Sequence, residues 1–114
     1  MKKRQLGNSD LFVTEMGLGC MSLGTSETEA MHIINEAIDL GINFFDTADL
    51  YDYGLNEEFV GKAIKETEIP REELFITSKV WNYDHGYEET KAAFEATLKR
   101  LDTDYLDLYL IHWA

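Results

Sequence analysis

Long apolar runs are missing from this sequence. No stretch of about 18 or more apolar residues is present, as a membrane-spanning helix would need. The basic start, Lys2, Lys3 and Arg4, is not followed by the apolar segment of a signal peptide. We therefore expect a cytoplasmic protein that does not enter a membrane.

Cysteine and positive charge are also scarce. The single cysteine, Cys20, excludes an internal disulfide and gives no metal-ligand pattern, so we expect a buried apolar side chain and no metal site. Lys and Arg total 10 against 22 Asp and Glu, which gives a formal net charge of -12. Since that balance repels phosphate backbones and anionic lipid, nucleic acid is not an expected partner.

What is present is an alternation of strand and helix signals within 114 residues, enough for one domain. The turn Gly7 to Asp10 predicts a small opening hairpin, and a third short strand is predicted at residues 15–18. Ser26 and Glu29 predict a capping box at the start of the first helix. Helices are predicted at 27–40, 56–65 and 88–101, and strands at 42–46, 74–78 and 105–111.

This order predicts an α/β fold, because strands that alternate with amphipathic helices pair in parallel through right-handed crossovers. The sheet would be an open nucleotide-binding sheet or a barrel. The segment GLGCMSLG lacks the G-x-G-x-x-G spacing of the open sheet, so we favour the barrel.

Ionisable side chains follow the predicted main strands. Asp46, Lys79 and His112 follow the second, third and fourth, and Tyr51 lies in the loop after Asp46. Each has an ordinary alternative: a turn residue, a solvated charge, a core histidine and a half-buried aromatic, respectively. Catalytic groups of barrel enzymes gather at the C-terminal strand ends, so four candidates there favour an active site.

The four side chains suit the reduction of a carbonyl. A tyrosine has an unperturbed pKa of about 10 and needs help to transfer a proton near neutral pH. Lys79 would stabilise the phenolate of Tyr51, Asp46 would hold Lys79, and His112 would donate a hydrogen bond to the carbonyl oxygen. No side chain supplies a hydride, so a cofactor is required, and we expect a nicotinamide.

These residues lie in segments that resemble the aldo-keto reductase family. The segments are LGNSDLFVTEMGLGCMSLG, GINFFDTADLYDYGLNEEFVGKAI, LFITSKVW and DYLDLYLIHW. The resemblance covers essentially the whole chain. It implies a (β/α)8 barrel that uses NADPH to reduce aldehydes or ketones, with Asp46, Tyr51, Lys79 and His112 as the catalytic tetrad.

The same resemblance implies further site residues. Tyr51 would be the general acid. Trp81 would line the substrate pocket beside His112, although it would otherwise be a packed aromatic. Contacts near the nicotinamide end of the cofactor would come from Gly19, Cys20, Met21 and Asp46.

Two branches of the family are represented. Residues 1 to about 65 resemble the longer-loop bacterial branch, and residues 68–101 resemble the branch with the glyoxal and diketogluconate reductases. A recombinant mosaic and a divergent member both account for this pattern.

A complete barrel of this type needs about 250 residues. We therefore expect residues 1–114 to form a single partial domain, the N-terminal half of the barrel, with about four parallel strands and three helices. Alone it would have little or no activity. Its open sheet edges would favour self-association or pairing with a missing C-terminal half, and the alternative function is a non-catalytic interaction or folding module.

Two further groups are interpreted as structural. We expect Met16, Met21 and Met31 to fill the core. A cluster of acidic residues is interpreted as a solvated surface: Glu57, Glu58, Glu66, Glu68, Glu72 and Glu73.

Overall fold

The computed structural model describes residues 1–113 and opens with a hairpin. Strand β1, Lys3–Gln5, pairs antiparallel with β2, Phe12–Thr14. Gly7 has a φ of 58°, a left-handed conformation that glycine adopts without a steric penalty. The predicted hairpin is confirmed.

A four-stranded parallel sheet follows, in the spatial order β3-β4-β5-β6. The strands are β3 (Leu18–Gly19), β4 (Phe44–Asp46), β5 (Phe75–Val80) and β6 (Leu108–Ile111). The helices between them are α1 (Glu27–Asp39), α2 (Leu55–Glu66) and α3 (Tyr87–Leu101). The predicted α/β order, with four parallel strands and three helices, is confirmed.

Several strand boundaries differ from the predictions. Strands β4 and β6 begin at Phe44 and Leu108, two and three residues later than predicted. The third short strand lies at Leu18–Gly19, not at residues 15–18, because residues 15–17 form the bend between the hairpin and the parallel sheet. Lys79 lies inside β5 and does not follow it, since pairing with β6 continues through Lys79 and Val80.

The core lies between the helices and one face of the sheet. Phe45 and Ile76 pack there with helix residues such as Ile34, Val60 and Leu101. Since side chains alternate along a strand, the neighbours Asp46, Thr77 and Lys79 lie on the opposite face. In a closed barrel that opposite face would be the interior.

Local sequence explains how the helices begin and pack. Ser26 Oγ accepts a hydrogen bond from the backbone N–H of Glu29 at 3.4 Å, which confirms one half of the predicted capping box. Gly61 lets α2 approach the end of α3, since a Cβ there would lie 2.6 Å from the carbonyl oxygen of Leu101. Of the three predicted core methionines, Met31 packs against the core.

Met16 and Met21 are 61% and 64% exposed, so the prediction that they fill the core was wrong. Both lie in the short connections around β3, outside the helix-sheet layer. Among residues 1–113, none of the helices is long and apolar enough to span a bilayer.

Candidate active site

The predicted catalytic residues meet at one edge of the parallel sheet. Asp46 ends β4, Lys79 is the penultimate residue of β5, and His112 directly follows β6. Because the three strands are parallel neighbours, their C-terminal ends lie side by side. The loop from β4 to α2 brings Tyr51 to the same edge.

The ammonium group of Lys79 is the centre of this cluster. Its Nζ lies 2.7 Å from Asp46 Oδ1, 2.8 Å from the carbonyl oxygen of Thr47 and 3.5 Å from the hydroxyl of Tyr51. An ammonium has three N–H donors, so these contacts use its full capacity. The Lys79 side chain is only 13% exposed, and the Asp46 carboxylate balances its charge.

Tyr51 begins a short turn, Tyr51–Gly54, whose inner residues have non-helical backbone angles. Asp52, Tyr53 and Gly54 have successive φ values of 51°, 55° and 95°. Left-handed residues other than glycine are uncommon and are held by their surroundings. Three consecutive residues with positive φ thus follow Tyr51, and α2 begins directly after Gly54.

Aromatic rings surround the cluster. The rings of Tyr51 and His112 meet edge to face at 5.6 Å, and Trp81 meets His112 in the same way at 5.6 Å. The Tyr83 ring contacts Trp81 at 6.1 Å. Nδ1 of His112 is buried and has no hydrogen-bond partner among the described residues. Trp81 is therefore packed against the ring of His112, at the end of the sheet that carries Tyr51.

Asp49 joins the loop that carries Tyr51 to the strand that carries Lys79. Its backbone N–H donates to the carbonyl oxygen of Lys79 at 3.3 Å, and its Oδ2 accepts from the backbone N–H of Trp81 at 3.2 Å. Burial raises the pKa of the Asp49 carboxyl above its ordinary value, and the N–H of Trp81 opposes that rise. The prediction from sequence missed this residue.

The residues expected near a cofactor differ in their exposure to solvent. Gly19 pairs with Asp46 across the sheet, and a Cβ on Gly19 would meet no atom within 4 Å, so the surface beside Asp46 is open. Met21 is exposed. Cys20 is fully buried, and its backbone N–H donates to the carbonyl oxygen of Asp46 at 2.9 Å.

Burial, with the nearby Asp46 charge, raises the pKa of the Cys20 thiol to about 12. The thiol is therefore protonated and enclosed, as expected for a buried apolar side chain. Both backbone groups of Cys20 are also engaged within the chain, the N–H with Asp46 and the carbonyl oxygen with the amide of Asn56.

A polar network behind the site was missed. Glu57, expected on a solvated surface, is fully buried and accepts hydrogen bonds from Ser78 Oγ at 2.7 Å and Arg100 Nε at 2.6 Å. Helical spacing places Glu57 on the same face as Val60 and Gly61, and both are buried. That spacing was the available signal, and the high local charge concealed it.

Within residues 1–113, no group of three or more His, Cys, Asp or Glu side chains is arranged to hold a metal ion. The carboxylate of Asp46 is instead paired with the Lys79 ammonium. Their arrangement suits proton transfer at Tyr51.

Comparisons with known proteins agree with this architecture. The family model described as "Aldo/keto reductase family" matches residues 15–114. Glyoxal reductase from Bacillus subtilis is 56% identical, over 85% of this chain and 34% of its own length. A thermostable aldo-keto reductase crystallised with the inhibitor epalrestat superposes with a TM-score of 0.92 at 41% identity, over 99% of this chain and 43% of its own.

A third relative was crystallised with NADPH. This aldo-keto reductase from Klebsiella pneumoniae has a TM-score of 0.81 at 36% identity, over 90% of this chain and 36% of its own. The chain thus spans roughly two fifths or less of the length of the curated relatives it matches. With the family model covering all but the first 14 residues, the chain belongs to the aldo-keto reductase family and matches its N-terminal portion.

Proposed function

We propose that this chain carries the proton-transfer half of an NADPH-dependent carbonyl reductase, with Asp46, Tyr51, Lys79 and His112 as its catalytic residues. The observation that carries the proposal is the position of Lys79 Nζ, which lies 2.7 Å from Asp46 and 3.5 Å from the Tyr51 hydroxyl. This arrangement supports Tyr51 as the proton donor.

In this proposal Tyr51 gives its hydroxyl proton to the carbonyl oxygen of the substrate. The Lys79 ammonium then stabilises the phenolate that remains, and Asp46 keeps Lys79 charged and in place. His112 orients the carbonyl and stabilises its oxygen as negative charge develops there. Water at the half-buried Tyr51 returns the proton, which completes the cycle.

The cofactor would lie at the open surface beside Asp46. Gly19 leaves room there, and Met21, two residues further along the chain, is exposed. When bound, NADPH supplies the hydride that the carbonyl carbon receives. The aldehyde or ketone is thereby reduced to an alcohol, with one hydride from the cofactor and one proton from Tyr51.

The substrate class is a small aldehyde, with reactive dicarbonyls as the first candidates. The likeness to glyoxal reductase supports this choice. Edge-to-face rings of Tyr51, His112 and Trp81 form a compact apolar boundary around the proposed proton donor. Such a boundary favours a small carbonyl that can lie within hydrogen-bond reach of Tyr51.

The test uses the 114-residue chain and a chimera in which it replaces the matching part of Bacillus subtilis glyoxal reductase. NADPH oxidation is followed with methylglyoxal and 4-nitrobenzaldehyde. We expect little or no turnover from the chain alone and clear turnover from the chimera. Tyr51→Phe should lower kcat of the chimera by about 100-fold or more, with NADPH affinity unchanged.

Tyr53→Phe is the matched control, because Tyr53 is 97% exposed and loses the same hydroxyl two residues away. It should leave kcat unchanged. A folded chimera that binds NADPH but turns over no carbonyl would overturn the proposed function.

The second candidate is a non-catalytic half-barrel that acts through contacts with another chain. The exposure of Ile111 and Trp113, at 64% and 60%, favours it, since both lie in or directly after β6, the outermost strand of the sheet. An active chimera together with a monomeric chain would exclude this candidate.

A further inference from the structure

Two consecutive buried polar residues, Asn56 and Glu57, lie in the first turn of α2. Both are 0% exposed, although amide and carboxylate side chains are rarely fully buried. Their burial needs partners, because an unpaired polar group in the core costs free energy. Both side chains have such partners, in the strands and connections that carry the proposed site.

Asn56 holds the ends of β3 and β4 together. Its amide nitrogen donates to the carbonyl oxygen of Cys20, and its amide oxygen accepts from the hydroxyl of Thr47. Cys20 follows β3, and Thr47 follows Asp46 directly. The carbonyl oxygen of Thr47 in turn accepts from Lys79.

Glu57 holds the next strand. It accepts from the hydroxyl of Ser78, the residue before Lys79, at 2.7 Å. Its other oxygen accepts from Arg100 on α3 at 2.6 Å. Arg100 is itself held by the hydroxyl of Thr97 at 3.3 Å.

We propose that Asn56 and Glu57 are positioning residues of the reaction. Their hydrogen bonds fix the residues next to Asp46 and Lys79, and so hold the Lys79 ammonium beside the Tyr51 hydroxyl. This inference rests on the proposed function. Neither side chain touches the proposed substrate position, so both act through Thr47 and Ser78. Tyr51 lies close to both residues in the chain, because only residues 52–54 separate it from the start of α2.

The burial of the polar residues Asn56 and Glu57 is better explained by the geometry that they impose than by a gain in stability. A buried ion pair is often no more stabilising than apolar side chains of the same volume. Hydrogen bonds, however, are directional and fix distances between the groups that they join. A catalytic group needs that precision, since loss of about 1 Å in placement can lower a rate by about 100-fold.

The test removes the hydrogen bond between Glu57 and β5 and measures the reactivity of the Lys79 amine directly. Ser78→Ala deletes the hydroxyl that Glu57 holds and leaves the pair of Glu57 with Arg100. Thr77→Val is the matched control, because the hydroxyl of Thr77 is also buried in β5 but has no hydrogen-bond partner among the described residues. Acylation by an N-hydroxysuccinimide ester is followed at each lysine by mass spectrometry, far below the unfolding temperature.

We expect Lys79 in Ser78→Ala to be acylated about five- to tenfold faster relative to Lys65, as the loss of one hydrogen bond implies. Thr77→Val should leave this ratio unchanged. Lys65 is 73% exposed in the folded chain and reports the activity of the reagent, whereas global unfolding would expose Lys79 and raise the ratio. The unfolded fraction of each variant is therefore measured by urea denaturation, and its contribution to the Lys79 rate is subtracted. An unchanged ratio in Ser78→Ala would overturn the inference.

A second measurement uses the chimera described above. Ser78→Ala should lower kcat about tenfold and leave the KM for NADPH unchanged, because positioning acts on the chemical step. A kcat equal to that of Thr77→Val would also overturn the inference. The acylation ratio is measured on the chain alone and does not require turnover. An inactive chimera would therefore contradict the proposed function, whereas the acylation ratio would still show whether Glu57 and Ser78 position Lys79.

Discussion

Glu57 shows how a single residue can contradict the character of its segment. It lies among six acidic residues interpreted as a solvated surface, yet its side chain is fully buried between α2, α3 and β5. Charge composition describes an average environment, whereas the helical position of Glu57 sets its own environment. The order of elements and the convergence of Asp46, Lys79 and His112 with Tyr51 could be predicted, but the partners of the Glu57 carboxylate could not.

The stability of the molecule should depend strongly on Arg100. In Arg100→Met, Glu57 keeps one partner, Ser78, and its buried charge loses its counter-ion. We expect the free energy of unfolding to fall by about 2 to 3 kcal/mol in urea denaturation.

Lys65→Met is the matched control for Arg100→Met. It breaks the ion pair with Asp102, in which the side chains are 73% and 60% exposed. Solvent screens that pair, so little measurable change is expected. Equal effects of the two substitutions would show that burial of Glu57 does not depend on Arg100.

At the scale of the elements, the sequence located each helix within one residue or so of its observed ends. Strand ends were less accurate, because β3 and the end of β5 are defined by pairing with distant neighbours. The turn after Tyr51 was also not predicted. Tyr53 adopts a left-handed φ of 55° although its side chain is 97% exposed, and no preference of tyrosine indicates that conformation.

The contact between α2 and α3 gives a prediction at this scale. In Gly61→Ala, the new methyl would lie 2.6 Å from the carbonyl oxygen of Leu101, and the backbone of Leu101 cannot rotate away as a side chain does. The helices must separate, so we expect a loss of about 1 to 3 kcal/mol in the free energy of unfolding.

Gly19→Ala controls for the chemical change, because its methyl would meet no atom within 4 Å. Its midpoint in thermal unfolding should stay close to that of the parent chain. A Gly61→Ala variant as stable as Gly19→Ala would mean that the two helices are not in close contact in solution.

For the whole molecule, charge and apolar surface oppose each other. The formal net charge of -12 keeps copies apart, while β6 presents Leu110 and Ile111 at 40% and 64% exposure. An unpaired strand edge with exposed apolar residues favours pairing with another chain. Whether charge repulsion or apolar contact dominates depends on the salt concentration, because salt screens the repulsion.

We expect self-association to increase with ionic strength, because the Debye length shortens from about 10 Å at 0.1 M to about 3 Å at 1 M. Sedimentation velocity at low and high salt measures this. Ile111→Lys should reduce association, whereas Leu40→Lys, at a position 66% exposed on the far end of α1, should not. Association that weakens with salt would exclude the apolar edge as its cause.

The alternation along β5 also bears on how the gene can vary. Ser78 faces Glu57 and its neighbour Lys79 faces Asp46, so the two sides of one short strand serve different partners. An in-frame deletion of one codon between Leu74 and Ser78 would exchange these faces, with an ammonium in the apolar layer and a hydroxyl at the sheet edge. We therefore expect descendants of this gene to change length in connections such as residues 82–86, and to keep the strand at its present number of codons.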